Sequence, residues 1–356
     1  MATIRKKGAY QYHCQIRRKG YPTQTRTFET RADAEAWARQ IEAEIDRGVI
    51  VDRREADKTT LHTVLDRYAK EICPSHKGGL VEASRCRALM KAPIASYKMS
   101  ALSGSVLAEW RDSRLEVVAS STVNRELNLL SAAINVARKE WGIYIENPVA
   151  AIRRPPSPKA RERRLSDEER TWLIDELTPR DRGQDGKLTD RTRNPWIRPV
   201  VLFALETAMR LGEVLSLRWE NVDLRRQTAK LPDTKNGSSR DVPLSSRAVA
   251  VLKELPRSLE GHVFPITDNA VKLAFRRAVA RAQERYLEEC TASGTAPSKG
   301  FLEDLHFHDL RHEATSLLAE RLSNVLELAS VTGHKDLRML KRYYHPKAED
   351  LAKKLG

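Results

Sequence analysis

Near the C-terminus the segment TGHKDLRMLKRYYH sets two adjacent tyrosines, Tyr343 and Tyr344, downstream of His334. A phenol with an ordinary pKa of about 10 becomes a nucleophile only with a base to take its proton and cations to receive the developing charge. The chain offers both upstream. LHFHDLRHEATS carries His308 and Arg311 three residues apart, AMRLGE carries Arg210 and Glu213 at the same spacing, and TKNGSSRDVPL carries Lys235. In order, Arg210, Lys235, His308, Arg311, His334 and a tyrosine supply fixed cations, titratable groups and a nucleophile. That set suits attack on a phosphodiester, whose transition state concentrates negative charge on its oxygens.

Each signal also has a plainer reading. Arg210 and Glu213 in the apolar run WIRPVVLFALETAMRLGEVLSLRWENVDL, read as buried helix, form an i, i+3 ion pair, because an unpaired buried charge is very costly. A lysine beside a hairpin tip is usually only solvated. His306, His308 and His312 suggest a metal site by spacing, but Arg311 among them would repel a metal ion and no Cys or Glu completes a common ligand set, so no metal is expected. His308 and Arg311 instead share a helical face. Projecting residues 335–345 as a helix puts Leu337, Leu340 and Tyr344 in one apolar stripe with Tyr343 at its edge. The projection favours Tyr343 for chemistry without settling the choice.

The elements that must position these groups fall into three segments. AYQYHCQIRR and TQTRTFET, separated by KGYP, read as strands of a small sheet, followed by a helix over TRADAEAWARQIEAEIDRG with Thr30 as N-cap and Gly48 as its stop. Arg5, Lys6, Lys7, Arg17, Arg18, Lys19 and Arg26 face a single acid, Glu29, in the first 30 residues. A basic strand face of this kind fits a DNA groove. Residues 57–156 read as all-α: Leu61, Val64, Leu65, Tyr68 and Ile72 share one face, as do Val123, Leu127, Leu130, Ile134 and Ala137. This segment ends in ENPVAAIRRPPSPKARERRLSDEE, where prolines break the helices and Arg153, Arg154, Lys159, Arg161, Arg163 and Arg164 form a linker suited to a phosphate backbone. Ser166 and Glu169 read as a capping box opening the third segment. There, strand-like runs flank Asn236-Gly237 as a hairpin, and polar stretches at 181–194 and 291–300 read as surface loops.

A length of 356 residues suits two or three domains, and a formal charge of +15 points toward polyanions. The sequence holds no run of 18 apolar residues and no apolar segment behind MATIRKK, so neither a membrane span nor a secretory signal is expected and the cytoplasm is the expected compartment. Cys14, Cys73, Cys86 and Cys290 are scattered without CxxC spacing, which fits reduced thiols.

Together AMRLGE, TKNGSSRDVPL, HDLRHEA and TGHKDLRMLKRYYH resemble the signature of the tyrosine recombinases, or phage integrase family. The resemblance implies a multidomain protein: a small N-terminal β-sheet plus helix module (1–56) that binds arm-type DNA, a helical core-binding, SAM-like domain (57–156), and a mainly α catalytic domain with a small β-hairpin (157–356). It implies that Tyr343 is the nucleophile of a 3′-phosphotyrosyl intermediate. Arg210, Arg311 and His334 would hold the phosphate, His308 would be the base and Lys235 would protonate the leaving 5′-oxygen. Glu213 and His345 would support the cluster. No cofactor, ATP or metal is implied. The implied partners are double-stranded DNA sites bound as a homotetramer on two duplexes, with possible accessory DNA-bending proteins and no membrane, in a bacterial cytoplasm with nucleoid or plasmid association. Tyr344 departs from the family, which usually has a small residue there.

ENPVAAIRRP, LPDTKNGSSRDVPL and LHFHDLRHEA further resemble shufflon-type recombinases of conjugative plasmids, which invert DNA segments. Integration or excision of a mobile element is the rival reading within the family. A non-cleaving regulator on the same scaffold is the rival of another class, but it would have no reason to keep an intact catalytic set. A relaxing topoisomerase is a further alternative, against which the basic N-terminal module argues.

Overall fold

The computed structural model describes residues 2–21, 23–46, 54–158, 161, 163–178, 194–232, 239–322 and 324–344. The chain divides into two compact units, Met1–Ala160 and Arg161–Gly356.

The first unit begins with an antiparallel sheet of β1 (Ala2–Gly8), β2 (Gln11–Ile16) and β3 (Gln24–Phe28), in that order, followed by α1 (Arg31–Asp46). Thr30 caps α1 as its sequence suggests, its Oγ1 accepting from the Asp33 N–H at 3.2 Å; Gly48 lies outside the described residues. Side chains alternate across a strand, so Cys14 and Ile16 pack against Ala34, Ala38 and Ile45 of α1. The same alternation corrects the expected basic strand face. Arg5 pairs in register with His13 and points outward, whereas Arg26 pairs with Cys14 and Lys6 with Tyr12, on the α1 side. Lys6 and Arg26 escape burial at the rim, lying over the Tyr12 and Phe28 rings. Arg17, Arg18 and Lys19 occupy the exposed turn after β2, with Arg18 paired to Asp46.

The rest of this unit is helical: α2 (Arg54–Lys58), α3 (Leu61–Glu71), α4 (Gly79–Met90), α5 (Gly104–Val117) and α6 (Ser120–Glu140). The α6 stripe of Val123, Leu127, Leu130, Ile134 and Ala137 is wholly buried. Leu61, Val64, Leu65 and Tyr68 of α3 are buried too, while Ile72 lies just past the end of α3. This core is distinct from that of the sheet. Arg153 and Arg154 are exposed, and the chain there rests on the helices through Arg111 to the Arg153 carbonyl (2.7 Å) and Asn124 to the Pro155 carbonyl (2.9 Å).

The second unit contains α7 (Asp167–Glu176), α8 (Ile197–Thr207), α9 (Leu211–Leu215), a three-stranded antiparallel sheet of β4 (Val222–Asp223), β5 (Thr228–Leu231) and β6 (Arg240–Pro243), then α10 (Ser246–Lys253), α11 (Asp268–Ser293), α12 (Phe307–Arg321) and α13 (Val325–Thr332). The Ser166–Glu169 capping box forms and starts α7. Leu173, Phe203, Phe264, Phe275 and Leu310 anchor its core. Strands β5 and β6 pair as the hairpin pattern suggests.

Three expectations are corrected. The run 196–224 is not one helix: α8 stops at Ala208, whose φ of 52° is left-handed, and α9 restarts after Arg210. The stretch 291–300 is a loop only in part, because α11 continues to Ser293 and ends at Gly294; of 181–194, only Asn194 is described. No helix carries the tyrosines. Leu337–Met339 is one 3₁₀ turn and Tyr343 lies in the turn after it. Leu340 alone of the supposed stripe is fully buried, while Leu337 is 40% exposed. Among the described residues no helix is long and apolar enough to cross a membrane.

Candidate active site

A cleft of about 880 Å3 in the second unit is lined by Arg210, His308, Arg311, His312, His334, Arg342 and Tyr343 among others. Each arrives on a local structure that its sequence explains. Breaking the helix at Ala208 leaves Arg210 at the start of α9, where an extended backbone turns its side chain into the cleft. On α12, His308, Arg311 and His312 stand at i, i+3 and i+4 and so share one face. That helix is capped by fully buried Asp309, which accepts from the His306 N–H at 2.7 Å. Gly333 ends α13 with φ of 69°, turning His334 back toward Arg311. Leu340 then pins the segment that delivers Tyr343. Tyr343 lines the cleft and Tyr344 does not.

Glu213 organises the cations. Its carboxylate, 6% exposed, accepts from Arg210 Nη1 (2.8 Å), the Arg210 N–H (2.9 Å), Arg240 Nη1 (3.0 Å) and Arg240 Nη2 (2.7 Å). Burial alone would raise its pKa, but the hydrogen bonds and charge of Arg240 and Arg210 prevail and hold it at about 2. The i, i+3 ion pair read from the sequence is therefore real but incomplete, since Arg240 of β6 also donates to both carboxylate oxygens.

Arg311 is buried, donating to the carbonyls of Ala208 and, at 2.7 Å, Thr332. Burial, then the neighbouring Arg210, lowers its pKa to about 10, so it stays cationic at neutral pH. A guanidinium has five N–H donors, and these carbonyls leave some free for an anion. His334 Nε2 lies 3.4 Å from Arg311 Nη2, and its Nδ1 lies 2.7 Å from Thr332 Oγ1. Thr332 already donates its proton to the Leu328 carbonyl at 2.6 Å, so Nδ1 must carry the His334 proton. Burial and the Arg311 and Arg210 charges hold the pKa of His334 at about 4, and the same influences, burial first and Arg311 second, lower that of His308.

The Tyr343 hydroxyl contacts His312 Nδ1 and accepts from Arg342 Nη2 at 2.8 Å. Burial raises the phenol pKa against the lowering influence of Arg342. Neither His312 nor Arg342 was singled out from sequence for this place. In the sequence His312 stands out only as a metal-ligand candidate, although its i+4 spacing from His308 is the available signal, and Arg342 is simply the residue before the tyrosine. Among the described residues no His, Cys, Asp and Glu cluster suited to a metal occurs.

Lys235, His345 and Lys159 lie outside the described residues. The linker arginines expected on a phosphate backbone are instead committed to carboxylates: Arg161 to Asp309 (2.7 Å) and Asp304 (2.6 Å), Arg163 to Glu169, and Arg164 to Glu313 (3.1 Å). The fold needs these cations because Asp309, Glu169 and Glu313 are buried.

The geometry is a cationic, anion-receiving cleft with a phenol at its wall. Residues 185–350 match the phage integrase family. The chain is 39% identical over 307 residues to a shufflon-specific DNA recombinase of Escherichia coli, covering 84% of this chain and 72% of that protein. It is 32% identical over 354 residues to a putative integrase/recombinase of Haemophilus influenzae, covering 99% and 88%. Its fold matches a lambda integrase tetramer bound to a Holliday junction with a TM-score of 0.61 at 20% identity, over 97% of this chain and 94% of that one. It also matches the Tn1549 transposon integrase in complex with transposon right end DNA, at 0.61 and 14% identity, over 83% and 98%. The chain belongs to the phage integrase family and is a tyrosine-type site-specific DNA recombinase.

Proposed function

We propose that Tyr343 attacks a scissile phosphate in double-stranded DNA, forming a 3′-phosphotyrosyl bond as the P–O5′ bond breaks, and that the released 5′-hydroxyl of another strand later reverses the step. The bond energy is kept in the phosphoester, so neither ATP nor metal is required. Arg210 and Arg311 bind the nonbridging oxygens, His334 joins them once the bound phosphate has offset the Arg311 and Arg210 charges and raised its proton affinity so that Nε2 also carries a proton, and Lys235 donates the proton to the leaving 5′-oxygen. His308 lines the same cleft, and His345 supports the cluster from the adjoining segment. The observation that carries this reading is the Tyr343 hydroxyl at the wall of the cleft that holds Arg210, Arg311 and His334.

The outcome is inversion of a DNA segment, supported by 39% identity to the shufflon-specific recombinase. Integration or excision is the second reading, supported by the near full-length similarity to the putative integrase/recombinase. Residues 1–56 bind arm-type DNA, 57–156 the core site, and 157–356 perform the chemistry. Arg5, Arg17 and Lys19 are exposed for phosphate contact, as are Arg153 and Arg154. Four protomers act on two duplexes, as the lambda integrase tetramer on a Holliday junction suggests, with accessory bending proteins where the site requires them. The enzyme works in the cytoplasm on nucleoid or plasmid DNA.

The test uses a nicked duplex carrying candidate sites cloned from the DNA that flanks the gene, which traps the covalent protein–DNA adduct. Tyr343→Phe should form no adduct and Tyr344→Phe should form it. Adduct from Tyr343→Phe would refute the assignment, and the relative orientation of the repeats separates inversion from excision.

A further inference from the structure

We infer that His312, through its Nδ1, is the group that takes the proton from Tyr343 as the phenol attacks, with Arg342 holding the phenolate oxygen. This rests on the covalent mechanism proposed above and moves the base from His308 to its neighbour one turn along α12.

The argument starts from donor counting. Arg342 Nη2 lies 3.3 Å from His312 Nδ1 and 2.8 Å from the Tyr343 oxygen. A guanidinium only donates, so Nδ1 must present its lone pair and the ring proton sits on Nε2. Tyr343 is then the only partner in this trio with a hydroxyl proton to give, and it donates to Nδ1. The proton is already aimed along the path that deprotonation requires. Arg342 meanwhile donates to the oxygen that becomes the phenolate. The rings of His312 and Tyr343 lie 25° from parallel with centroids 5.9 Å apart, while His308 stands edge-on behind His312 at 5.1 Å.

The step balances without any other reactant. The O–H proton passes to His312 Nδ1, the freed oxygen pair forms the bond to phosphorus, and the P–O5′ pair leaves with the 5′-oxygen. His312 becomes a cation and returns its proton to the phenol in the rejoining step, as reversibility requires.

The groups facing His312 set its proton affinity. Burial first, then Arg342, His308 and Arg311, hold its pKa at about 4 against the opposing charge of Asp309. The imidazole is thus neutral and able to accept at any working pH. A bound phosphate offsets the Arg311 and Arg342 charges and raises its affinity at the moment of reaction.

The experiment measures adduct formation on the nicked duplex by His312→Gln, His312→Ala, His308→Ala and Tyr343→Phe, together with DNA binding and melting of each. A general base contributes roughly 10²- to 10⁴-fold. His312→Gln should therefore lose about 10²-fold or more in adduct rate while binding DNA normally. Added imidazoles should restore His312→Ala, more strongly as the pKa of the added base rises, which a packing role would not produce. An adduct rate for His312→Gln within about threefold of wild type would overturn the inference. So would rescue that ignores base strength, or imidazole rescue of a His308→Ala protein in place of His312→Ala. Should the alanine variant melt early, the His312→Gln rate decides, and the wild-type second-order rate adds a check: it should stay level as pH falls through 6.5, and a limb at that pH would exclude so depressed a base. Adduct formation by Tyr343→Phe would instead refute the underlying mechanism and leave His312 without a role.

Discussion

Replacing Glu213 with glutamine tests whether one carboxylate holds the active-site arginines. The change keeps shape but removes a charge that accepts four hydrogen bonds, from the Arg210 N–H, one Arg210 nitrogen and two Arg240 nitrogens. The amide can accept on one side only, and its NH2 would face a guanidinium donor. A folded pKa of about 2 against an ordinary 4.5 corresponds to about 3 kcal/mol, at about 1.4 kcal/mol per unit. Removing one partner of a buried ion pair costs about 3–5 kcal/mol, so the two routes agree. The sign for pH follows, because the folded pKa is depressed: this contribution is complete above about 4.5 and is lost as pH falls through about 2. Urea unfolding followed by hydrogen exchange in peptides from residues 197–217 reports on this region. Glu213→Gln should lose about 3 kcal/mol, and Glu213→Leu combined with Arg240→Leu should lose less than the two single changes added. A loss below about 1 kcal/mol, or strict additivity, would show that the arginines are held by something else.

Two further outcomes are expected. At Gly333, φ is 69° and an added Cβ would meet Arg240 Nη1 at 2.6 Å, so Gly333→Ala should cost at least about 1–2 kcal/mol from backbone strain and displace Arg240 from Glu213. Melting and adduct formation should both fall, and the adduct loss should shrink when Arg240 is already alanine. Lys235→Ala should slow cleavage of an ordinary phosphodiester by about 10²-fold or more but barely affect a substrate whose 5′ leaving atom is sulfur, which needs little protonation; equal loss on both would remove it from the acid role.

How much was legible depended on how far apart the cooperating residues stand. The α6 stripe, the Thr30 cap, the Ser166–Glu169 box and the β5–β6 hairpin rest on spacings within one or two turns, and all form. Arg210, His308, Arg311, His334 and Tyr343 line one cleft, and their grouping is legible because motif order survives without knowledge of packing. The break at Ala208 was not: apolarity continues through it, and only the need to bring Arg210 to the cleft and the Ala208 carbonyl to Arg311 explains it. Arg240 is 27 residues from Glu213, and the partner of an arginine so distant cannot be read from local pattern. The tyrosine segment misled because a 3.6-residue projection assumes a helix, whereas the chain makes a single tight turn there. The linker arginines read as phosphate contacts because the buried partners of Arg161 and Arg164, Asp309 and Glu313, lie 148 and 149 residues away, although Glu169 stands only six from Arg163.

The attachment of that linker has a mechanical consequence. Arg161 grips Asp309 and Arg164 grips Glu313, two points one turn apart on α12, with Arg311 between them in sequence. They act as rivets joining a strap to a beam. Any tension on the chain preceding Arg161 is delivered to the helix bearing His308, Arg311 and His312, and a hydrogen-bonded helix of 15 residues transmits it as a stiff rod. A load too small to break either rivet would still shift three site residues together, and a larger one would release them in steps. The same short segment is thus a lever arm on α12, loaded by whatever holds the other end of the chain.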